Sequence, residues 1–253
     1  MLDFDFEVFR VDPWDPSAVT TALRTHGIAT VEGIVDRDDL TTAAAAHMRT
    51  RTHRDAELDS ITDIRPDTRL QAQAAGIGFS REGVAPHTEG TSLPRPPQLL
   101  FLVCARPAPR GGETILVNGD AVRRDLATTD PGALAVLSRP EAVGFGIAGQ
   151  RAPVFEETTP GSITLRYRDD DLVHLEPADR WAWERLRAAV ARRQQRYMLR
   201  QGQGVLVDNM RWLHGRTGFN GERLMYRLIG DRLDPPESAL QAIHTARQSV
   251  KRA

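Results

Sequence analysis

From residue 76 onward the chain consists of short apolar runs separated by proline and glycine. Runs of this length with frequent turn residues are typical of a sandwich or barrel of short strands. One long predicted helix, 179–200, interrupts them, and Asp234-Pro235-Pro236 precedes a last short helix at 237–249. The sequence therefore predicts a mainly β, α+β fold that carries helices, and not a βαβ alternation. The predicted strands are 99–104, 113–117, 142–145, 162–168, 204–207 and 224–229.

The first quarter of the chain has mixed character. Asp15-Pro16-Ser17 is typical of a helix start, and Gly27 of the stop that follows it. Residues 28–34 alternate like a strand, 36–47 form a second predicted helix, and the polar stretch after it gives no prediction. Because no repeat or low-complexity linker divides the chain, we expect one domain over residues 1–253.

The composition argues against two classes of partner. The 33 basic and 34 acidic side chains give a formal net charge of −1, which favours neither nucleic acid nor an anionic membrane as the main partner. The longest apolar run, 99–105, is too short to span a bilayer, and the N-terminus does not resemble a signal peptide. The single cysteine, Cys104, lies in that run and is predicted to be a buried thiol in a reducing cytoplasm.

One glycine motif suggests a dinucleotide site but lacks the required context. Gly144-Phe-Gly-Ile-Ala-Gly149 matches GxGxxG, and Asp169 lies 20 residues beyond it. The motif needs a helix that begins at its last glycines, whereas Pro153 follows too closely for such a helix. Turn glycines between two strands are the better interpretation.

A histidine followed two residues later by an acid can chelate one metal ion, because both side chains of an extended segment point to the same side. About one such pair is expected by chance in this composition. Three pairs occur: His53/Asp55, His87/Glu89 and His174/Glu176. His87/Glu89 lies directly before the most apolar strand, as ligands at the mouth of a barrel would. We expect His53 to be solvated and Glu176 to serve as first-turn charge or cap of a helix.

A third ligand should come from another strand, and His214 is placed to supply it. It follows the predicted strand 204–207 and precedes the strand that carries two arginines. Two histidines and one carboxylate leave coordination positions open, which suits Fe(II) that must also bind a cosubstrate and O₂. A closed zinc site would usually recruit cysteine, and the chain has only Cys104.

Arg223 and Arg227 form the anion-binding part of the predicted site. On a strand they share one face with Met225, roughly 13 Å apart. A buried arginine needs an anion, and a carboxylate held by two hydrogen bonds is its best match. Internal salt bridges with Asp or Glu are the alternative for either arginine.

These motifs, in this order, resemble the TauD/TfdA and clavaminate-synthase-like group of Fe(II)/2-oxoglutarate-dependent oxygenases. The resemblance runs from about residue 76 to 232, and Thr114 follows His87 by 27 residues, as in the taurine-dioxygenase branch. It implies a double-stranded β-helix, that is, a jelly-roll or cupin-like core with flanking helices. The stretches that carry it are His87-Thr-Glu89, Gly111-Gly-Glu-Thr114, Asp208-Asn-x-Arg-x-Leu-His214-Gly-Arg216 and Arg223-x-x-x-Arg227.

The resemblance also implies roles for these residues. His87, Glu89 and His214 would bind iron, while Thr114 and Arg223 would hold the distal carboxylate of 2-oxoglutarate. Arg227 would point towards the substrate or brace the cosubstrate. Because only nine residues separate His214 from Arg223, which is shorter than usual in the group, Arg227 remains an alternative 2-oxoglutarate ligand.

Glu89 bears on the reaction that the resemblance implies. Related iron halogenases have a small residue there, so its presence makes hydroxylation the expected outcome, with desaturation, epoxidation and cyclisation as alternatives. A glutamate in this position resembles the branch that oxidises free or carrier-bound amino acids. A role in natural-product biosynthesis, such as antibiotic biosynthesis, follows by analogy with that branch.

The substrate is predicted to be a small amino-acid-like molecule. Arg227 would hold its carboxylate, and Asp169, Asp170 and Asp171 could receive its cation, although the triplet alone is more typical of an acidic turn in water. Glycines at 76, 78 and 83 suggest a lid before the metal ligands, from which Ser80 and Arg81 would reach the substrate.

Two other classes use the same residues. A non-catalytic, cupin-like metal-binding protein would bind metal without consuming a cosubstrate, which would leave Thr114 and Arg223 without a role. A zinc- or manganese-dependent hydrolase or isomerase would need a further general base near the metal, and the sequence offers no clear candidate.

Overall fold

A computed structural model describes residues 4–72, 76–159 and 162–233. The short apolar runs after residue 76 form short antiparallel strands. In chain order the strands are β1 (Ile28–Val31), β2 (Met48–Arg51), β3 (Thr62–Ile64), β4 (Val84–His87), β5 (Leu99–Arg106), β6 (Arg110–Gly111), β7 (Thr114–Asn118), β8 (Val143–Phe145), β9 (Gln150–Ala152), β10 (Phe155–Thr159), β11 (Ser162–Leu165), β12 (Val173–His174), β13 (Gln195–Tyr197), β14 (Gly204–Asp208), β15 (Trp212–Arg216), β16 (Phe219–Asn220) and β17 (Leu224–Arg232).

The helices begin at the side chains that the sequence offers as caps. Asp15 accepts hydrogen bonds from the first turn of α1, and Gly27, with φ of 72°, ends it. Asp36 and Asn118 cap α2 and α4 in the same way. The helices are α1 (Pro16–His26), α2 (Arg37–Ala45), α3 (Thr68–Gln71), α4 (Gly119–Thr129), α5 (Pro131–Leu137) and α6 (Arg180–Arg192), with 3₁₀ turns at Gly76–Phe79 and Pro177–Asp179.

Two antiparallel sheets form the body of the molecule. The larger has the order β1-β14-β5-β17-β2, with β3 also paired to β17, and the smaller has the order β13-β7-β15-β4. Short sheets, β10-β11, β12-β8-β9 and β16-β6, lie outside these two. The mainly β, α+β class predicted from the sequence is therefore confirmed.

Strand β5 shows how both faces of the larger sheet are buried. Leu99, Phe101 and Val103 pack with α1 and α2, whereas Leu100 and Cys104 pack with residues of the smaller sheet, including Leu116. Helices α4 to α6 cover the other face of the smaller sheet. The result is helices, sheet, sheet and helices in layers, with Cys104 a buried thiol as predicted.

Tertiary pairing overrides the sequence pattern in several places. The helix predicted at 179–200 ends at Arg192, because the following residues become β13 and pair with the edge of β7. Tyr197, expected on that helix, instead stacks on Phe6 with ring centroids 5.0 Å apart. The strands predicted at 28–34 and 162–168 are shorter in the structure.

Two further predictions concern the C-terminal helix and the glycine motif. The last predicted helix, 237–249, lies outside the described residues. Of the GxGxxG glycines, Gly144 lies in β8, and Gly146 and Gly149 lie in the turn between β8 and β9, which confirms the strand-turn interpretation. Within the described ranges, none of the helices is long and apolar enough to cross a membrane.

Candidate functional site

The two histidines of the predicted metal site face each other across a strand pair. His87 ends β4 and lies opposite His214 of β15, and their ring centroids are 4.3 Å apart. Nδ1 of His87 lies 2.9 Å from the carbonyl oxygen of Ala85. That contact places the proton on Nδ1 and leaves the Nε2 lone pair for a metal ion.

Glu89 completes a compact group with the histidines. One ligand atom each from His87, Glu89 and His214 lie within 4.8 Å of one another, which one metal ion can bridge. In the part of the chain that the structure describes, this is the one group of its kind. Nδ1 of His214 is buried without a hydrogen-bond partner among those residues, and a ligand bound at this site would satisfy it.

The electrostatics of the site favour metal binding. Burial lowers the pKa of His87, and burial together with the His87 ring lowers the pKa of His214 well below its usual value. Burial alone would raise the pKa of Glu89, but the Arg227 guanidinium and both imidazoles outweigh it and lower the pKa to about 2. At neutral pH the site presents two neutral imidazoles and a carboxylate, which are the forms that bind metal ions.

Arg227 lies beside the acidic member of this group. Its Nη1 donates a hydrogen bond of 2.8 Å to Oε2 of Glu89. Its Nε and Nη2 are buried and have no hydrogen-bond partner among the described residues. The internal salt bridge considered for this arginine therefore exists, yet two donor groups remain unused, which suits a bound anion.

Arg223, immediately before β17, is buried without an acidic partner. It is 6% exposed, and its guanidinium lies 5.6 Å from the Phe219 ring centroid. Among residues 4–72, 76–159 and 162–233, no carboxylate lies within salt-bridge distance of it. Burial lowers the pKa of Arg223 to about 10, so it remains a cation at neutral pH. A buried, unpaired guanidinium fits the distal carboxylate of a dicarboxylic acid.

Gly112 makes room for this arginine. It has φ of 78°, and a Cβ added to it would lie 3.1 Å from Cδ and Nε of Arg223. Thr114 follows two residues later, is buried, and lies opposite Arg216 in the β7–β15 ladder. Gly112 thus lies against Arg223, while Thr114 lies on β7 of the smaller sheet and Arg223 precedes β17 of the larger one.

The residues proposed as a lid are held in place by Arg216. Its guanidinium donates hydrogen bonds to the carbonyl oxygens of residues 77, 78, 80 and 82. Ser80 is buried, and its hydroxyl donates to the carbonyl of Ile77. Arg81 is exposed and reaches Glu222 at 3.4 Å. Their predicted contact with substrate stays a prediction, since both side chains have partners within the protein.

The acidic triplet after β11 is largely paired. Asp169 accepts a hydrogen bond of 3.0 Å from Arg187 of α6, and Asp170 accepts one of 2.7 Å from Arg168. Asp171 is exposed. The first two carboxylates already have cationic partners, so a substrate cation would have to compete with an arginine for each of them.

His53 was considered as a metal ligand from the sequence but was expected to be solvated. In the structure it is largely buried, with 22% of its side chain exposed. Burial and the Arg227 guanidinium lower the pKa of His53, while Glu89 acts in the opposite direction. His53 lies in the connection between β2 and β3, and both strands pair with β17, which carries Arg227. His174, the third candidate, instead contacts the carbonyl of Gly146 at 2.8 Å.

A family model described as "Taurine catabolism dioxygenase TauD, TfdA family" matches residues 3–229 of the chain. A uridine-5'-phosphate dioxygenase from a Streptomyces species is 34% identical over 144 residues. That match covers 51% of this chain and 53% of the relative, so the chain aligns with about half of that protein's length.

Solved structures share the fold. Asparagine oxygenase, in complex with Fe(II), 3-hydroxyasparagine and succinate, superposes with a TM-score of 0.70 at 17% identity, over 85% of this chain and 79% of the other. The non-haem iron oxygenase OrfP, in complex with Fe and α-ketoglutaric acid, gives a TM-score of 0.67 at 17% identity, over 85% and 77%. At such identities the likeness concerns the fold, and it agrees with the double-stranded β-helix implied by the sequence motifs.

Proposed function

Because the chain belongs to the TauD/TfdA family of Fe(II)- and 2-oxoglutarate-dependent dioxygenases, we propose that His87, Glu89 and His214 hold its iron ion. The observation that carries this proposal is the convergence of their ligand atoms within 4.8 Å, on two neighbouring strands and the loop after one of them. Two histidines and one carboxylate leave the remaining positions for 2-oxoglutarate and O₂. The same open positions distinguish this site from a closed structural zinc site.

The cosubstrate is assigned to the side of the site that contains Arg223. An iron ion held here would bind and activate O₂, the oxidant, so that one oxygen atom oxidises a C–H bond and the other converts 2-oxoglutarate to succinate and CO₂. Arg223 would pair with the distal carboxylate of 2-oxoglutarate, and the Thr114 hydroxyl would donate to the same group. Both side chains are buried, so the ion pair would be formed with little competition from water.

The substrate is assigned to the side of Arg227. Its Nε and Nη2 are free to receive an anionic group while Nη1 remains on Glu89. Such an arrangement would place the substrate anion a few ångströms from His87, Glu89 and His214 and would orient the C–H bond to be oxidised. An amino-acid-like substrate bound through its carboxylate fits this position, with hydroxylation as the outcome and natural-product biosynthesis as the setting.

The experiment is a screen of oxygen and 2-oxoglutarate consumption with amino acids, run on the wild type and on Glu89→Ala and Arg227→Met. We expect one amino acid to raise succinate formation above the substrate-free rate and to gain the mass of one oxygen atom. Glu89→Ala should lose both activities, while Arg227→Met should raise KM for the substrate at least tenfold and retain substrate-free turnover. Equal KM in Arg227→Met and wild type would contradict the assignment of Arg227.

A nucleoside 5′-phosphate is a second candidate substrate, and a specific observation favours it. Asp169 and Asp170 are already paired with arginines, whereas Nε and Nη2 of Arg227 have no partner among the described residues, so the unused charged donors beside the candidate ligands are cationic. The Streptomyces relative named as a uridine-5'-phosphate dioxygenase has a substrate of that charge. The same screen, run with nucleoside 5′-phosphates, distinguishes the two candidates. If a nucleotide stimulates succinate formation and no amino acid does, the substrate is a nucleotide and not an amino acid.

A further inference from the structure

Asn209 follows β14 directly and is fully buried, at 0% exposure. Its Oδ1 accepts a hydrogen bond of 2.7 Å from the backbone N–H of Glu89. Its Nδ2 donates to the carbonyl oxygen of Glu89 at 3.0 Å and to that of Pro97 at 2.7 Å. One side-chain amide therefore satisfies both backbone groups of a single residue, which lies 120 positions away in the chain.

The residue before Glu89 is fixed in a similar way from another direction. The backbone N–H of Thr88 donates to the carbonyl oxygen of Tyr167 at 2.8 Å, and the N–H of Tyr167 donates to the Thr88 hydroxyl at 3.1 Å. The loop that carries Glu89 is thus bound to two separate segments of the barrel. Neither contact uses the carboxylate, which accepts a hydrogen bond from Arg227 and has an oxygen within 4.8 Å of the histidine ligand atoms.

We propose that Asn209 is a positioning residue that holds the Glu89 backbone in the conformation the metal site requires. This inference rests on the proposed function, in which Glu89 is an iron ligand. Without the Asn209 amide, the buried backbone N–H and carbonyl of Glu89 would lack hydrogen-bond partners, which costs free energy. The loop would also gain conformations in which the Glu89 carboxylate points away from the histidines. Groups that orient metal ligands typically contribute 10–100-fold to metal affinity.

A matched control separates positioning from ordinary burial. Gln203 is also buried, at 2% exposure, and its amide accepts from the backbone N–H of Arg200 and donates to Glu32, both at 2.9 Å. It makes long-range contacts but touches no candidate ligand. Replacing either amide with an apolar side chain of similar size should therefore destabilise the fold, and only the Asn209 replacement should weaken metal binding.

The experiment titrates Co(II), as a spectroscopic stand-in for iron, into wild type, Asn209→Leu, Gln203→Met and Glu89→Ala, with a melting curve for each. We expect Asn209→Leu to bind Co(II) about 10–100-fold more weakly and Gln203→Met to bind within twofold of wild type. Wild-type affinity in Asn209→Leu, or an equal loss in both amide variants, would overturn the proposal. If the wild type binds no Co(II), or Glu89→Ala binds it equally well, the proposed function fails instead.

If Asn209→Leu does not fold, hydrogen exchange on the wild type decides the matter. The proposal expects the Glu89 amide to be protected already in the metal-free protein, because Asn209 accepts its hydrogen bond before metal binds. A Glu89 amide that exchanges freely without metal and becomes protected only on its addition would overturn the proposal.

Discussion

Arg216 and Arg223 are both 6% exposed and lie within 6 Å of the same ring, that of Phe219, at 5.0 and 5.6 Å. Burial lowers the pKa of each to about 10. They differ in their partners: Arg216 donates to four carbonyl oxygens of the segment before β4, whereas Arg223 has no salt-bridge partner among the residues described. Burial of an arginine is therefore no sign of function by itself, and the unused donors distinguish the two.

Removing the Arg223 guanidinium should give the largest effect on cosubstrate binding. In Arg223→Met we expect the dissociation constant of 2-oxoglutarate to rise about 100-fold, because losing one partner of a buried charge pair costs about 2–5 kcal/mol. The free energy of unfolding of the ligand-free protein should not fall, since the lost charge has no partner there. Binding is measured by calorimetry with the metal bound, and stability by denaturant unfolding without ligand. A variant with wild-type affinity for 2-oxoglutarate would remove Arg223 from the site.

The same substitution at Arg216 should have the opposite profile. Arg216→Met leaves several carbonyl oxygens of residues 77–82 without a donor, which should lower the free energy of unfolding by about 3 kcal/mol. The dissociation constant of 2-oxoglutarate should stay within about threefold of wild type, because Arg216 has no donors to spare. Both variants are measured side by side, and equal effects on binding would show that the two arginines form one anion site.

Thr114→Val tests the second group assigned to the carboxylate of 2-oxoglutarate. The change keeps the shape and removes one hydroxyl, so we expect affinity for 2-oxoglutarate to fall by about 1–2 kcal/mol, or roughly five- to thirtyfold. The double variant Thr114→Val, Arg223→Met should lose less than the sum of the single effects if both contact the same carboxylate. Strict additivity would separate Thr114 from the Arg223 site.

Gly112→Ala should give the smallest effect and sharpens the contrast between the arginines. The added methyl group lies 3.1 Å from the Arg223 side chain, whereas Gly33, with φ of 88°, has nothing within 4 Å. Both changes to alanine carry a backbone cost of about 1–2 kcal/mol, but only Gly112→Ala should weaken 2-oxoglutarate binding, by about two- to fivefold. Equal binding in the two variants would show that Arg223 accommodates the methyl group.

The sequence alone predicted the parts of the site that lie on short local patterns. His87 and Glu89 share one motif, and His214 follows a recognisable strand, so their convergence could be anticipated from strand pairing. Simple alternation predicts that Arg223 and Arg227 share one face of a strand; in the structure Arg227 lies in β17, whereas Arg223 directly precedes it. That Arg227 pairs with Glu89 and Arg223 with no acid could not be predicted, because it depends on which loops close over each guanidinium.

Other features depend on contacts that are distant in sequence. His53 lies between β2 and β3, which both pair with the distant strand β17, and Asn209 accepts a hydrogen bond from Glu89 across 120 residues. The helix predicted at 179–200 was too long, because residues 195–197 pair with β7 as strand β13. Helices α4 and α5 were not predicted, although Asn118 as cap and Pro131 at the first turn were signals for them.

The most direct test of the account is a visible absorption spectrum of the protein under anaerobic conditions, as Fe(II) and then 2-oxoglutarate are added. We predict a metal-to-ligand charge-transfer band in the wild type and in Arg216→Met. The band should be absent in Glu89→Ala, and in Arg223→Met it should require about 100-fold more 2-oxoglutarate, in line with the loss of about 2–5 kcal/mol. If iron binds to the wild type but 2-oxoglutarate gives no band, the assignment of these residues to an oxygenase site is contradicted.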